Sequence, residues 1–347
     1  MRFIHIADVH LGAVPDSGCP WSAYREKEIW ETFRKVIELA GNEKTDLLLI
    51  AGDFFHRQPL VREVREVNYL FSTIPDTQVV WMAGNHDYMK KDSAYRKIQW
   101  NDNVHGFFSQ EPDVIYLPEC KTWIYGFSYE QREIRENLYH GIRPNGKPGY
   151  HILLAHGGDE KHIPIKQEDG EAFDYAALGH IHKQGILIPN QMAYAGALEP
   201  LDRNHEGKHG LIKGEIRDGR TQIQFVPFAC RSYVDLEIWS DATMTQSELE
   251  QIVRERIYQQ GKNNIYRIHI KGHRSPDLDF DLQRLYELGN VVEAVDETLP
   301  YYQLEKLRKQ QEGTIIGEYI DCFEGKEEII ERKALFYGLQ ALMETEL

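Results

Sequence analysis

Five apolar runs within the first 182 residues end alike, in aspartate, asparagine or histidine. They are RFIHIADVH (2–10), DLLLIAGDFFH (46–56), VVWMAGNHD (79–87), HILLAHGGD (151–159) and YAALGHIH (175–182). Near-continuous apolar runs of this length predict strands buried on both faces. Between them, YREKEIWETFRKVIELA (24–40) and VREVREVNYLFSTI (61–74) repeat their apolar residues at helical spacing. Strands alternating with helices predict parallel pairing through crossovers, and hence an α/β fold. In such sheets the loops beyond the carboxyl ends gather into one crevice, so five strand ends can deliver side chains to one place.

The texture changes after Arg231. SYVDLEIW (232–239) and NIYRIHIKG (264–272) read as strands, with the helical TQSELEQIVRERIYQQG (245–261) between them. From Pro300 the chain is charged and helical in YYQLEKLRKQQ (301–311) and KEEIIERKALFYGLQALMETE (326–346), a helical pair with an exposed apolar stripe, separated by EGTIIGEYIDCFEG. The expected division is a large domain over 1–230, a small α/β unit over 231–298 and a C-terminal helical segment over 299–347.

Composition narrows this picture only modestly. With 347 residues, 41% of them hydrophobic, the chain can bury a sizeable core. Cys19, Cys120, Cys230 and Cys322 lie far apart with no Cys-x-x-Cys, so neither a zinc knuckle nor a disulfide framework is expected. Free thiols suit a reducing cytoplasm. MRFIHIADVHLG lacks the long apolar core of a signal peptide. No apolar run approaches a membrane-spanning length, so no membrane partner is expected. A net charge of −15 argues against a broad cationic surface for nucleic acid. Bound metals can nevertheless reverse the sign of one cleft.

The residues at the strand ends supply the chemistry. They are Asp8 and His10, Asp53, Asn85 and His86, His156, and His180 with His182. In an extended segment, residues i and i+2 share a face, so His180 and His182 project into one small volume. The set holds oxygen and nitrogen donors without sulfur, which suits Mn²⁺, Fe²⁺ or Zn²⁺ rather than a structural thiolate zinc. It is too large for one ion but fits two ions sharing a carboxylate, roughly 3.5–4 Å apart, as in sites that cleave phosphoesters. Two divalent ions bring about four positive charges against the two of Asp8 and Asp53, leaving a cleft that attracts an anion such as a phosphodiester. A water held between such ions becomes a strong nucleophile near neutral pH. Gly52, Gly84 and Gly179 each precede a candidate ligand, where a sharp turn or close approach is expected. His5 reads as an ordinary strand residue. His105, His140, His151, His162, His205, His209, His269 and His273 receive no role.

Taken together, Asp8–His10, Gly52–Asp53, Gly84–His86, His156 and Gly179–His182 match the ordered signature D-x-H, G-D, G-N-H, H and G-H-x-H. The chain thereby resembles the calcineurin-like metallophosphoesterase superfamily. AGDFFHRQP, FDYAALGHIHK and AYAGALEP further resemble its DNA repair exonuclease branch, the SbcD- and YhaO-like nuclease subunits. That resemblance implies a metallophosphoesterase β-sandwich flanked by helices, a capping domain after residue 230, and two divalent ions. Mn²⁺ is the first choice, with Fe²⁺, Zn²⁺, Co²⁺ or Mg²⁺ as substitutes. It implies one ion held by Asp8, His10, Asp53 and His182, and the other by Asp53, Asn85, His156 and His180. By the same resemblance His86 serves the leaving 3′ oxygen and His56 orients the scissile phosphate. Asp87 is read as a partner that orients a histidine.

The implied activity is a Mn²⁺-dependent DNA nuclease of DNA-end repair, a 3′-to-5′ exonuclease with single-strand endonuclease activity. The implied partners are DNA, an SbcC-like SMC-type ATPase docking on the C-terminal helices, and a second copy in a homodimer. Arg62, Arg65, Lys90, Lys91, Arg96 and Lys97 are candidate DNA contacts. The alternatives are a phosphoesterase of small phosphoesters or cyclic nucleotides, and a catalytically weak interaction subunit of an ATPase complex.

Overall fold

The helices and strands that the apolar spacing predicts are present, but the strands divide between two sheets. The structure, a computed structural model, describes residues 1–203, 207–326 and 328–344; His205 lies outside the described residues. The chain falls into two compact units, Met1–Ser232 and Tyr233–Leu347. In chain order the first contains β1 (Arg2–Ile6), α1 (Ser22–Asn42), β2 (Leu47–Ala51), α2 (Val61–Ser72), β3 (Gln78–Met82), β4 (Val104–Gly106), β5 (Asp113–Leu117) and β6 (Thr122–Gly126). It continues with β7 (Tyr150–His156), α3 (Gln167–Gly170), β8 (Tyr175–Gly179), β9 (Gly185–Ile188), β10 (Met192–Tyr194), β11 (Gly210–Arg217) and β12 (Arg220–Pro227).

One sheet runs β12-β11-β1-β2-β3-β4 and the other β5-β6-β7-β8-β10-β9. The strands that end in ligand-type residues are parallel to one another within each sheet: β1, β2 and β3 in one, β7 and β8 in the other. Strand periodicity explains the layering. Phe3, Leu47, Leu49, Val80 and Met82 point inward and meet Ile152, Leu154 and Ala177 of the opposing sheet. The alternate residues Ile4, Ile6, Leu48, Ile50 and Trp81 pack outward on Phe33 and Val36 of α1 and Val67 and Phe71 of α2. This is a mixed α/β sandwich flanked by helices. His5 sits within the sandwich, where its Nδ1 meets the Tyr175 hydroxyl at 2.9 Å and burial drives its pKa down to about 3.

The second unit has β13 (Tyr233–Ser240), α4 (Gln246–Gln260), β14 (Ile265–Arg274), β15 (Val291–Asp296) and β16 (Leu299–Pro300). Its strands pair in parallel, and α4 starts with Thr245 accepting a hydrogen bond from the Glu248 N–H. At the ends of β14 and β15, Arg274 is held by Asp279 at 3.0 Å and Asp296 at 3.8 Å.

The tail forms α5 (Leu304–Gln310), α6 (Ile315–Asp321) and α7 (Ile329–Glu344). The expected pair of helices is therefore three, because EGTIIGEYIDCFEG contains α6. Its glycines hide a helix that Thr314 caps by accepting from the Gly317 N–H. Ile316, Ile320, Leu335, Phe336 and Leu339 close together and bury much of the apolar stripe. The four cysteines are unpaired, and no described helix is long and apolar enough to cross a membrane.

Candidate metal centre

Beyond their strands, the loops after β1 and β2 stay zipped together. Asp8 N–H donates to the Gly52 carbonyl, His10 N–H to the Asp53 carbonyl and His56 N–H to the Leu11 carbonyl. This ladder forces unusual backbone onto the ligand-type residues themselves: φ is 47° at Asp8, 49° at His10 and 46° at Asp53, while in the other sheet His180, whose N–H donates to the Asp8 carboxylate, sits at 93°. Left-handed backbone at non-glycine residues costs about 1–3 kcal/mol each and survives only where the surroundings impose it. Close approach explains two of the glycines. A Cβ at Gly179 would overlap the Ala51 carbonyl oxygen, and one at Gly84 would overlap the Asp53 carboxylate.

The seven candidate ligands converge into two sets. In the first, His10 Nε2 lies 3.2 Å from His182 Nε2 and 3.7 Å from Asp53 Oδ2, and His182 Nε2 lies 3.9 Å from Asp8 Oδ1. In the second, the Asn85 side-chain oxygen lies 3.0 Å from His156 Nε2 and 3.1 Å from His180 Nδ1. The second set closes through Asp53 Oδ2, 3.5 Å from His156 Nε2. One carboxylate oxygen thus faces both sets. Asp8, His10, Asp53, Asn85 and His156 are buried, and His180 and His182 are half-buried.

Donor chemistry tests whether cations fit there. Burial pushes the Asp8 carboxyl up to about 8. Burial would also raise Asp53, but His156 and then His10 override it and hold Asp53 well below the usual carboxylate range. Burial pulls His156 down, yet the Asp53 charge wins and lifts it to about 9. Its Nδ1–H is committed to the Ala51 carbonyl at 2.9 Å, so the extra proton sits on Nε2, facing Asp53 and Asn85. Burial drives His10 well below its ordinary value and His180 down to about 4. Protons on Asp8 and His156 therefore stand where cations would, and the neutral His10 and His180 rings can each offer a lone pair. This all-nitrogen-and-oxygen set fits two divalent ions.

On the open side lie the other two predicted histidines. The His86 N–H donates to Asp53 Oδ1 at 2.8 Å, and its Nδ1–H donates to the His56 carbonyl at 3.1 Å. The His56 ring stacks on His86 with centroids 5.3 Å apart, and its Nδ1 lies 3.3 Å from His10 Nδ1. Burial holds His56 below its ordinary pKa, so the ring is neutral near pH 7.

Asp87 behaves differently from its sequence reading. It accepts from the Gly84 and Phe55 N–H groups and from the Tyr95 hydroxyl, bracing two ligand loops rather than orienting a histidine. The residue that does meet an imidazole is Asp159, which accepts from His180 Nε2 at 2.8 Å and from His162 Nδ1 at 3.0 Å. Its position three residues after His156 was the available signal, but nothing in the spacing distinguishes it from a polar loop residue. Tyr129 and Tyr139 also went unread; the Tyr129 hydroxyl donates to the His156 carbonyl, and the Tyr139 hydroxyl accepts from the His156 N–H. Arg62, Arg65, Lys90, Lys91, Arg96 and Lys97 are all exposed.

The calcineurin-like phosphoesterase family matches residues 1–184, more than half of the chain, and the chain belongs to that family, a class of metal-dependent phosphoester hydrolases. Among its relatives, YhaO of Bacillus subtilis, an uncharacterized metallophosphoesterase, is 29% identical over 248 residues, covering 65% of this chain and 60% of YhaO. The DNA double-strand break repair protein Mre11 of Methanocaldococcus jannaschii is 28% identical over 264 residues, 69% of each chain. Mre11 of Sulfurisphaera tokodaii is 26% identical over 332 residues, 88% of this chain and 80% of that protein.

Proposed function

We propose that this protein is a Mn²⁺-dependent DNA nuclease that hydrolyses the backbone at two divalent ions, in the repair of double-strand breaks or DNA ends. The observation that carries the reading is Asp53 Oδ2, 3.7 Å from His10 Nε2 in one donor set and 3.5 Å from His156 Nε2 in the other. Asp8, His10, Asp53 and His182 would hold one ion, and Asp53, Asn85, His156 and His180 the other. Such ions, when bound, polarise a phosphoryl group and make water acidic enough to attack near pH 7.

The chain's own residues do the rest. Asp53 Oδ1 holds the His86 N–H, which fixes that loop against the donor sets. With its Nδ1–H held by the His56 carbonyl, His86 presents Nε2 to the open side; a second proton carried on Nε2 would pass to the leaving 3′ oxygen and leave the ring neutral with Nδ1–H in place. His56, neutral and stacked on His86, orients the phosphate as a hydrogen-bond donor. DNA is favoured over small phosphoesters by the similarity to two repair proteins named Mre11. The 3′-to-5′ direction, the single-strand endonuclease activity, the homodimer and the SbcC-like ATPase partner belong to the same reading. In it residues 1–230 are the nuclease domain, 231–298 a cap and 299–347 the docking helices. Exposure of Ile315 (65%), Ile330 (79%) and Tyr337 (51%) on those helices supports docking.

The test compares single-stranded DNA, duplex DNA and a small phosphodiester, each with Mn²⁺ or with chelator, for wild type and His86→Ala. Wild type should cleave DNA only with Mn²⁺. His86→Ala should keep both ions and lose turnover by about 10²–10⁴-fold. Near-normal cleavage by that variant would remove the role given to His86. Hydrolysis of the small ester alone would point to a small-molecule phosphoesterase, and inertness of ion-loaded protein on every ester to a tethering subunit.

A further inference from the structure

The loop that follows β7 reads His-Gly-Gly-Asp, and its two glycines, at φ 144° and 137°, turn the chain back on itself. The Gly158 N–H donates to the His162 carbonyl at 2.9 Å. Within this turn the Asp159 carboxylate is fixed by the chain's own backbone: Oδ1 accepts from the Lys161 and His162 N–H groups, each at 2.8 Å. The other oxygen, Oδ2, reaches His180 Nε2 at 2.8 Å. A carboxylate accepts only, so the proton of the neutral His180 ring is on Nε2. That leaves Nδ1 bare and directed at Asn85, 3.1 Å away. His182, two residues on, faces His10 through the opposite ring atom, Nε2.

We infer that Asp159 is the positioning residue that locks His180 in the Nε2–H tautomer, so that its Nδ1 serves one ion while His182 serves the other through Nε2. The inference rests on the two-ion reading above. Because Oδ1 is tied to the backbone N–H groups of its own turn, the carboxylate aims Oδ2 at the His180 ring without needing an ion to hold it. An outer carboxylate of this kind both aims its imidazole and raises its basicity, and losing one costs about 10–100-fold in metal affinity. Because the Asp159 hydrogen bond reaches His180 and not His182, the effect falls on one ion of the two. His162 shares the carboxylate but faces no candidate ligand other than His180, with ring centroids 4.5 Å apart.

The experiment titrates Mn²⁺ calorimetrically into the metal-free full chain for wild type, Asp159→Ala, Asp159→Asn and His162→Ala. Nitrogen NMR of the His180 ring in the metal-free protein gives a second readout. Wild type should bind two ions and show the Nε2–H tautomer. Asp159→Ala should bind one ion as wild type does and the other about 10–100-fold more weakly, with a mixed tautomer. Asp159→Asn keeps an acceptor oxygen and should recover part of the loss, and His162→Ala should bind both ions normally. Two unchanged ions in Asp159→Ala, or an equal weakening of both, would overturn the role of Asp159 and leave the two-ion reading intact. A wild type that binds no pair of ions would instead sink the two-ion reading, and this inference with it.

Discussion

Both units lay parallel strands side by side with a helix packed against them, yet their strand ends differ in how charge is answered. In the first unit, Asp8 and Asp53 meet imidazoles and backbone N–H groups, and among the described residues neither pairs with a lysine or arginine. In the second, Asp296 at the end of β15 has its own guanidinium in Arg274, which Asp279 also clasps. A carboxylate with a resident cation has no call for a metal. Parallel topology supplies the meeting place, and the residues delivered there decide whether it becomes a site.

The sharpest way to break the comparison is Asp53→Asn, which removes the one oxygen facing both donor sets. Both Mn²⁺ ions should weaken together, by more than the roughly 10–100-fold that loss of an outer partner costs. Elemental analysis of dialysed protein reads this directly, and loss of one ion alone would refute the shared ligand.

A second, smaller effect follows from acidity. Burial lifts Asp8 to about 8, and Asp53, against the opposing pull of burial, lifts His156 to about 9. Both groups hold a proton at pH 7 in the metal-free protein and must release it to ligate. Affinity for Mn²⁺ should therefore climb as pH rises from 7 towards 9, with protons released on binding. Titration in buffers of different ionisation enthalpy measures that release.

The smallest effect belongs to the second unit. Arg274→Gln should lower stability by about 1–2 kcal/mol, because a buried guanidinium is lost while Asp279 is largely exposed and Asp296 keeps the Thr298 N–H and hydroxyl, and leave Mn²⁺ binding untouched. Urea unfolding with a parallel metal titration separates the two. A change in ion binding would show that the units are chemically coupled.

The candidate ligands were legible in sequence because each stands within a few residues of an apolar run, and such runs mark strand ends in one dimension. The partition of those strands was not legible, since a strand buried on both faces has the same apolar pattern in either sheet. Nor was the left-handed backbone at Asp8, His10 and Asp53, which hydrogen bonds between two loops impose from more than forty residues away. Asp159 was missed for a related reason. Its partner His180 lies 21 residues on, and only the folded turn brings carboxylate and ring together. Asp87 failed the other way, because its place beside His86 suggested an imidazole partner while its oxygens went to backbone and to Tyr95. The helix α6 was hidden by glycines that read as a break.

One mechanical consequence follows from how the sandwich is built. Asp8, His10, Asp53 and Asn85 extend from one leaf, and His156, His180 and His182 from the other. Ions gripped by both would act as rivets across the seam, so loading the centre should slow amide exchange along β2 and β8 and stiffen the leaves against sliding. The hydrolytic apparatus would then double as a fastener.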